Sequence, residues 1–261
     1  MRIYAPEDGK PTKGLFLHIH CGGFVLGTHQ LQHGALQRYA NQCQLTAISV
    51  GYRLAPEDPW PAAVHDCVDI AEYLVDHGPS AYGARLLFVG GESAGGCLAA
   101  LTTFHLLRSG PNHRLSGVVL PCGQFNLTLN LSKMSSFKQP LAIDRESMQR
   151  FADAWTPGMT IEERRNPLIS PLYDDMEGLA QATGSLPPAL FLCGTMDQLL
   201  DDTLLMSAKW MSTGSEAVVK IFRGAPHAFT VFPGFKPAEK AIAILLQFVK
   251  EKLEAQAALV E

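Results

Sequence analysis

The residues with the clearest chemical potential lie in Val89-Gly90-Gly91-Glu92-Ser93-Ala94-Gly95-Gly96. A run of β-formers, Leu86 to Val89, leads into a glycine pair, and a helix-like run from Cys97 to Leu107 follows. Strand, tight turn and helix in that order make a nucleophile elbow, which lifts a serine hydroxyl out at the end of a strand on strained backbone. Gly91 and Gly95 leave room for that strain. A hydroxyl is a poor nucleophile until a base takes its proton, so a histidine must accompany Ser93. Among nine histidines, His227 fits best, on a Gly/Pro loop (Arg223-Gly224-Ala225-Pro226-His227-Ala228-Phe229) after a strand ending at Phe222 and ahead of the last helix. His65, His77, His105 and His113 lie on or beside helices and suit structural or solvent-facing roles.

An acid that orients the base is expected between serine and histidine in the chain. Asp197 follows the buried run Ala189 to Cys193 at its C-terminal end, where a carboxylate can fix the tautomer of His227 and stabilise the imidazolium. Asp201 is the second candidate, although Asp201 and Asp202 together suit the start of the next helix, where negative charge meets the dipole. The developing oxyanion is assigned to His18-Ile19-His20-Cys21-Gly22-Gly23-Phe24: the N–H groups of Gly22 and Gly23, with that of Ala94, are the candidate donors. His20 is expected to brace this loop rather than to move protons. Such a constellation performs acyl transfer through a tetrahedral intermediate, and backbone donors make a metal or cofactor unnecessary.

These residues need a scaffold that brings several strand ends to one edge. Short apolar runs (Leu15 to His20, Leu45 to Val50, Leu86 to Val89, Leu115 to Pro121) alternate with helical segments at Gln30 to Cys43, Pro61 to His77 and Ser93 to Ser109. Each β run is continuously apolar, as in a parallel sheet covered on both faces, so the pattern predicts a doubly wound, mostly parallel α/β sheet. The rhythm breaks over residues 123–186, where Asp144 caps a helix to about Ala154 and proline turns follow at Asn166-Pro167 and Ser170-Pro171. It resumes with strands at Ala189 to Cys193 and Ala217 to Phe222, and helices at Asp201 to Ser212 and Pro237 to about Ala258. Residues 1–122 and 187–261 are therefore read as the core, and 123–186 as a helical cap or lid over it. Phe24, Phe125, Leu127, Met134, Phe137, Phe151, Trp155 and Phe229 are available for an apolar substrate pocket or for the core.

Composition narrows the function classes. At 261 residues and 47% hydrophobic content the chain can bury one large core, and a net charge of −4 without basic blocks gives no reason to expect nucleic acid. No run is long and apolar enough for a membrane span, and the N-terminus reads as a strand rather than a signal peptide. Six scattered cysteines without a Cys-x-x-Cys pair read as reduced thiols, and the default compartment is cytoplasmic. The sequons at Asn126 and Asn130 are then coincidental.

The chain resembles hormone-sensitive-lipase-type esterases of the α/β-hydrolase superfamily from about Met1 to Leu253. The resemblance rests on five ordered motifs: His20-Cys21-Gly22-Gly23-Phe24, Tyr52-Arg53-Leu54-Ala55-Pro56-Glu57 with Asp66, Gly91-Glu92-Ser93-Ala94-Gly95-Gly96, Asp197-x-Leu199-x-Asp201 and His227-Ala228-Phe229. It implies catalytic Ser93, Asp197 and His227, oxyanion donors Gly22, Gly23 and Ala94, and a serine carboxylesterase acting on small to medium esters without cofactor. An amidase, lactonase or arylformamidase on the same site, or a non-catalytic small-ligand receptor, are the alternative readings. Some relatives pair through a strand near the C-terminus, so a monomer or homodimer is expected.

Three departures stand out. Cys21 replaces the first glycine of the loop, and Gln198 follows the acid where an apolar residue is usual. The family's usual N-terminal cap segment is not found ahead of Arg2-Ile3-Tyr4: either the sequence is truncated, or it is a natural short form whose pocket is then expected to be unusually open. In the Tyr52–Asp66 stretch, Arg53 and Glu57 are expected to pair, and the prolines to set the turn into the next helix.

Overall fold

The computed structural model describes residues 1–110, 113–137, 139, 141–232 and 234–258. Positions 138 and 140 of the expected cap and 111, 112, 233 and 259–261 of the expected core lie outside the described residues. Seven strands form one sheet: β1 Arg2–Tyr4, β2 Gly14–Ile19, β3 Leu45–Val50, β4 Leu86–Gly91, β5 Gly117–Pro121, β6 Ala189–Met196 and β7 Ala217–Pro226. Their order is β1-β3-β2-β4-β5-β6-β7, with only β1 antiparallel to its neighbour.

The continuous apolar runs follow from this arrangement, because successive residues of a strand serve opposite layers. Leu15, Leu17, Ile48, Val118 and Phe191 pack into one layer with α2 (Ala62–Tyr82), α3 (Ala94–Ser109) and α7 (Leu200–Ser212). Phe16, Ala47, Val119 and Leu190 pack into the other, with α1 (His33–Cys43) and α8 (Lys236–Ala257). At the centre α3 is buried from Ala94 to Phe104, which explains its run of small and apolar residues without a polar face. Among the described residues no helix is long and apolar enough to cross a membrane, and all six cysteines are unpaired.

Several boundaries differ from those read in the sequence. Gly78-Pro79 does not end α2, which continues to Tyr82 and closes on left-handed Gly83. A Cβ at Gly78 would stand 2.8 Å from the Ala84 carbonyl oxygen and 3.0 Å from the Leu15 side chain, so this glycine serves close helix–sheet approach rather than termination. The β7 strand extends past Phe222 to Pro226, because pairing with β6 resumes beyond an irregularity between Gly194 and Met196. Within residues 123–186 the chain forms α4 (Ser132–Ser136), α5 (Arg145–Trp155) and α6 (Met176–Thr183), besides single 3-10 turns at Glu163–Arg165 and Pro171–Tyr173. Asp144 caps α5 as expected, accepting from Ser147 N–H at 2.7 Å. The helices α4 and α6 lack a long enough amphipathic period to be seen in the sequence; α6 is held by packing against α3 and α7.

The α7 N-terminus ties residues 123–186 to the sheet. Asp202 is buried and its Oδ1 accepts both the Phe125 and the Asn126 N–H at 2.7 Å. Asp201 accepts the Lys133 N–H at 2.7 Å, and Gln198 donates to the Ile143 carbonyl at 3.0 Å. Burial pushes the Asp202 carboxyl up to about 8, against the two N–H donors. One oxygen suffices for both donors, so a neutral group can replace the acid. Asp202→Asn, which carries no deprotonation to oppose folding, is expected to match wild type near pH 4 and to exceed it by several kcal/mol at pH 8, whereas Asp202→Ala orphans two buried N–H groups and costs about 2–5 kcal/mol at pH 4. Urea denaturation of both variants measures this.

Candidate active site

The elbow stores strain at one residue. Ser93, two residues past the end of β4 and at the N-cap of α3, has φ 56° and ψ −120°, a conformation that costs a non-glycine residue about 1–3 kcal/mol. The flanking glycines act through the absence of Cβ rather than through unusual dihedrals. A Cβ at Gly91 would lie 2.4 Å from the Gly95 carbonyl oxygen, and one at Gly95 would lie 2.1 Å from that of Ile19. They let the turn sit flush against the end of β2, which carries the Gly22-Gly23 loop.

Three residues that the sequence proposes as a triad meet here. His227 Nε2 stands 2.9 Å from Ser93 Oγ, in line for the hydroxyl to donate to it. Its Nδ1 lies 2.9 and 3.0 Å from the two oxygens of Asp197. With Nδ1–H donating to the carboxylate, Nε2 is left unprotonated and able to accept. Asp197 is wholly buried and also accepts the Leu199 N–H at 2.9 Å, so its position is fixed from two sides. His227 follows directly on β7, closer to the sheet than a strand ending at Phe222 would put it. The Gly194 backbone packs against that of Ala225, which draws the ends of β6 and β7 together beneath Asp197 and His227.

The donor loop is braced as expected. The His20 ring stacks on Tyr52 at 4.1 Å, its Nδ1 lies 2.8 Å from the Cys21 carbonyl, and the Tyr52 hydroxyl donates to the His20 carbonyl at 2.9 Å. Gly22 and Gly23 take φ of 134° and 61°, so glycine is required at those two positions. Cys21 is not among the left-handed residues, and its replacement of a glycine leaves the turn intact. Among the described residues no acceptor takes the N–H of Gly22, Gly23 or Ala94. Phe151 lies against Gly23, and Phe24 stacks on Trp155 at 3.8 Å, so α5 packs directly on this loop. Of the apolar side chains available for a pocket, Phe24, Phe125, Leu127, Met134, Trp155 and Phe229 are buried in the core, while Phe137 and Phe151 remain partly exposed.

One expected pair is replaced. Arg53 binds Asp66 rather than Glu57: Nε reaches Oδ1 and Oδ2 at 3.1 and 3.0 Å, and Nη2 reaches Oδ1 at 2.8 Å. Asp66 lies on α2, whose axis points its carboxylate back at the turn, a relation that sequence separation conceals. Asp201, the second candidate for the acid, has its carboxylate on Lys133 N–H instead.

Two residues of this region escaped the sequence reading. Cys122 lies with Asp197 and His227 in a buried trio whose ligand atoms fall within 4.8 Å. The thiol is held well above its ordinary range by burial and by Asp197, and both His227 nitrogens already have partners. A metal there would have to displace the Ser93 and Asp197 contacts, so the trio does not fit an ion. Glu92 is the other, a carboxyl in a run of small residues, buried beside the Thr230 hydroxyl at 3.2 Å. Burial pushes it up to about 7, while the Thr230 hydrogen bond and His227 pull the other way.

Glu92 gives a pH signature. The folded chain keeps this proton up to about pH 7, whereas the unfolded chain releases it near the ordinary 4.5. The folded state therefore binds more protons between those values, and stability falls as pH rises through them. Glu92→Gln is expected to remove that slope and to exceed wild type at pH 8 by up to about 3 kcal/mol. Denaturant midpoints at pH 4.5 and 8 read it; equal slopes would refute it.

Comparison with known proteins agrees with this architecture. The chain is 28% identical over 241 residues to an esterase of Acinetobacter venetianus, spanning 90% of this chain and 74% of that one. A solved hyperthermophilic esterase from the archaeon Pyrobaculum calidifontis superposes with a TM-score of 0.85 at 29% identity, covering 95% of this chain and 80% of its own. A solved esterase from the bacterial hormone-sensitive lipase family gives 0.82 at 28% identity, with 96% and 80% covered. The hormone-sensitive-lipase resemblance read from the motifs is thereby borne out. The model of the alpha/beta hydrolase fold matches residues 16–231, the stretch from β2 to just past His227, and the chain belongs to that family.

Proposed function

We propose that the protein is a serine carboxylesterase acting on small to medium esters through an acyl-enzyme on Ser93. The observation that carries this reading is the buried hydrogen-bond chain from Ser93 through His227 to Asp197, set beside three N–H groups that find no acceptor among the described residues. His227 takes the Ser93 proton as Oγ attacks the ester carbonyl, and Asp197 stabilises the imidazolium. The oxyanion collects the N–H groups of Gly22, Gly23 and Ala94, worth about 3 kcal/mol each in the transition state. His227 then protonates the leaving alcohol, and later activates the water that frees the acid. In this reading the α4–α5 part of residues 123–186 is a cap: its Met134, Met148 and Ala152 form a small cluster of their own over Leu199, apart from the two main layers.

The test is a p-nitrophenyl ester series of increasing acyl length, run with labelling by a fluorophosphonate and mapping of the labelled residue. Turnover of short and medium esters with one label on Ser93 is expected. Saturable ester binding without turnover or label would favour a receptor, and turnover of amides or lactones in preference to esters would move the assignment within acyl transfer.

A further inference from the structure

We propose that the chamber between the sheet and helices α1 and α8 is a second binding site, for a small apolar primary amine held as its ammonium ion by Glu92, Gln32 and His18. The chamber has a volume of about 380 Å³, and its wall comes from Phe16 and His18 of β2, Val119 of β5, Gly91 at the end of β4 and Glu92 on the turn that follows. A water occupies about 30 Å³, and small-molecule pockets span about 300–1,000 Å³, so the space is ligand-sized. Neither Ser93 nor His227 lines it, and the inference stands independently of the esterase reading.

Each polar group in this wall leaves one atom unmet, although Glu92 also takes the Thr230 hydroxyl and has Gln32 beside it. Glu92 and Gln32 are 7% exposed and His18 is 5% exposed. Glu92 Oε2, Gln32 Oε1 and His18 Nδ1 all lack a hydrogen-bond partner among the described residues. Burial keeps the His18 ring neutral, down to about 3, so its Nδ1 can present a lone pair. Three acceptors in one apolar chamber call for a donor-rich ligand. Above about pH 7, where Glu92 has shed its proton, an ammonium brings three N–H donors and a counter-charge for the carboxylate, an alcohol brings one donor, and a carboxylate ligand would repel the ionised Glu92. Arg38 and Glu239, both exposed where they line the chamber, carry opposite charges and leave the preference to the interior. The mouth accounts for the apolar body of the ligand: Leu31, Val231 and Phe232 line it while 55%, 43% and 40% exposed.

Calorimetric titration of the wild-type protein at pH 8, where Glu92 is ionised, with n-hexylamine hydrochloride, against 1-hexanol and sodium hexanoate, tests the assignment. Saturable one-site binding of hexylammonium is expected, with hexanol about tenfold weaker or more and no binding of hexanoate. Gln32→Leu and Glu92→Gln should each weaken hexylammonium about tenfold or more. Ala35→Phe, which fills the chamber and spares the polar groups, should abolish binding. Protein labelled on Ser93 should bind as before, and loss on labelling would place the amine at the nucleophile instead. Absence of saturable binding, hexanol as tight as hexylammonium, or unchanged affinity in the folded variants, checked by circular dichroism, would overturn the proposal.

Discussion

Ser93→Ala is expected to lower kcat/KM for a p-nitrophenyl ester by about 10⁴–10⁶-fold with the fold unchanged. The substitution removes the proposed nucleophile, yet leaves His227, Asp197 and the proposed backbone donors in place. Residual turnover would come from those donors acting on an attacking water. The same position offers a second readout, because its φ of 56° penalises any side chain and alanine inherits the penalty. Ser93→Gly is expected to be as inactive as Ser93→Ala but more stable than it by about 1 kcal/mol, in spite of glycine's greater freedom when unfolded. Steady-state kinetics and denaturant midpoints on the pair separate chemistry from strain. Retained ester turnover in either variant would remove Ser93 from the mechanism.

The sheet was legible because each strand serves two layers and so reads as an unbroken apolar run. Leu45–Val50 is recovered to the residue, and β2 and β4 to within two. Punctuation misled where tertiary contact overrode it. Gly78-Pro79 reads as a stop but lies inside α2, because Gly78 is needed for contact with Ala84 and Leu15. The three residues proposed as the triad could be picked out together because elbow glycines, strand ends and chain order are local features. Their neighbours could not: Glu92, Cys122 and Asp202 are defined by what surrounds them. Asp202 illustrates the limit. As an acid at a helix start it looks like a response to the dipole, yet its oxygen anchors Phe125 and Asn126, 77 and 76 residues away. Arg53 likewise pairs across 13 residues with Asp66 rather than with nearby Glu57.

Asp197→Asn is expected to cut kcat by about 10⁴-fold with little change in KM. Asp197 is wholly buried, both its oxygens face His227 Nδ1, and it lies on the far side of the imidazole from Ser93. In the proposed mechanism it therefore acts through His227 rather than on the substrate, and its loss should appear in the chemical step. The amide can still accept the Leu199 N–H, so the turn that carries it survives. It cannot supply the negative charge that meets the imidazolium, and its NH₂ group competes for the ring nitrogen that must stay protonated. An imidazole turned to the other tautomer presents N–H to Ser93 and cannot take its proton. Asp201→Asn is the matched comparison: that carboxylate holds Lys133 N–H on the α4 side, and its neutralisation should leave kcat within about threefold of wild type. Equal losses in the two variants would mean that general charge near α7, rather than the Asp197–His227 contact, sets the rate.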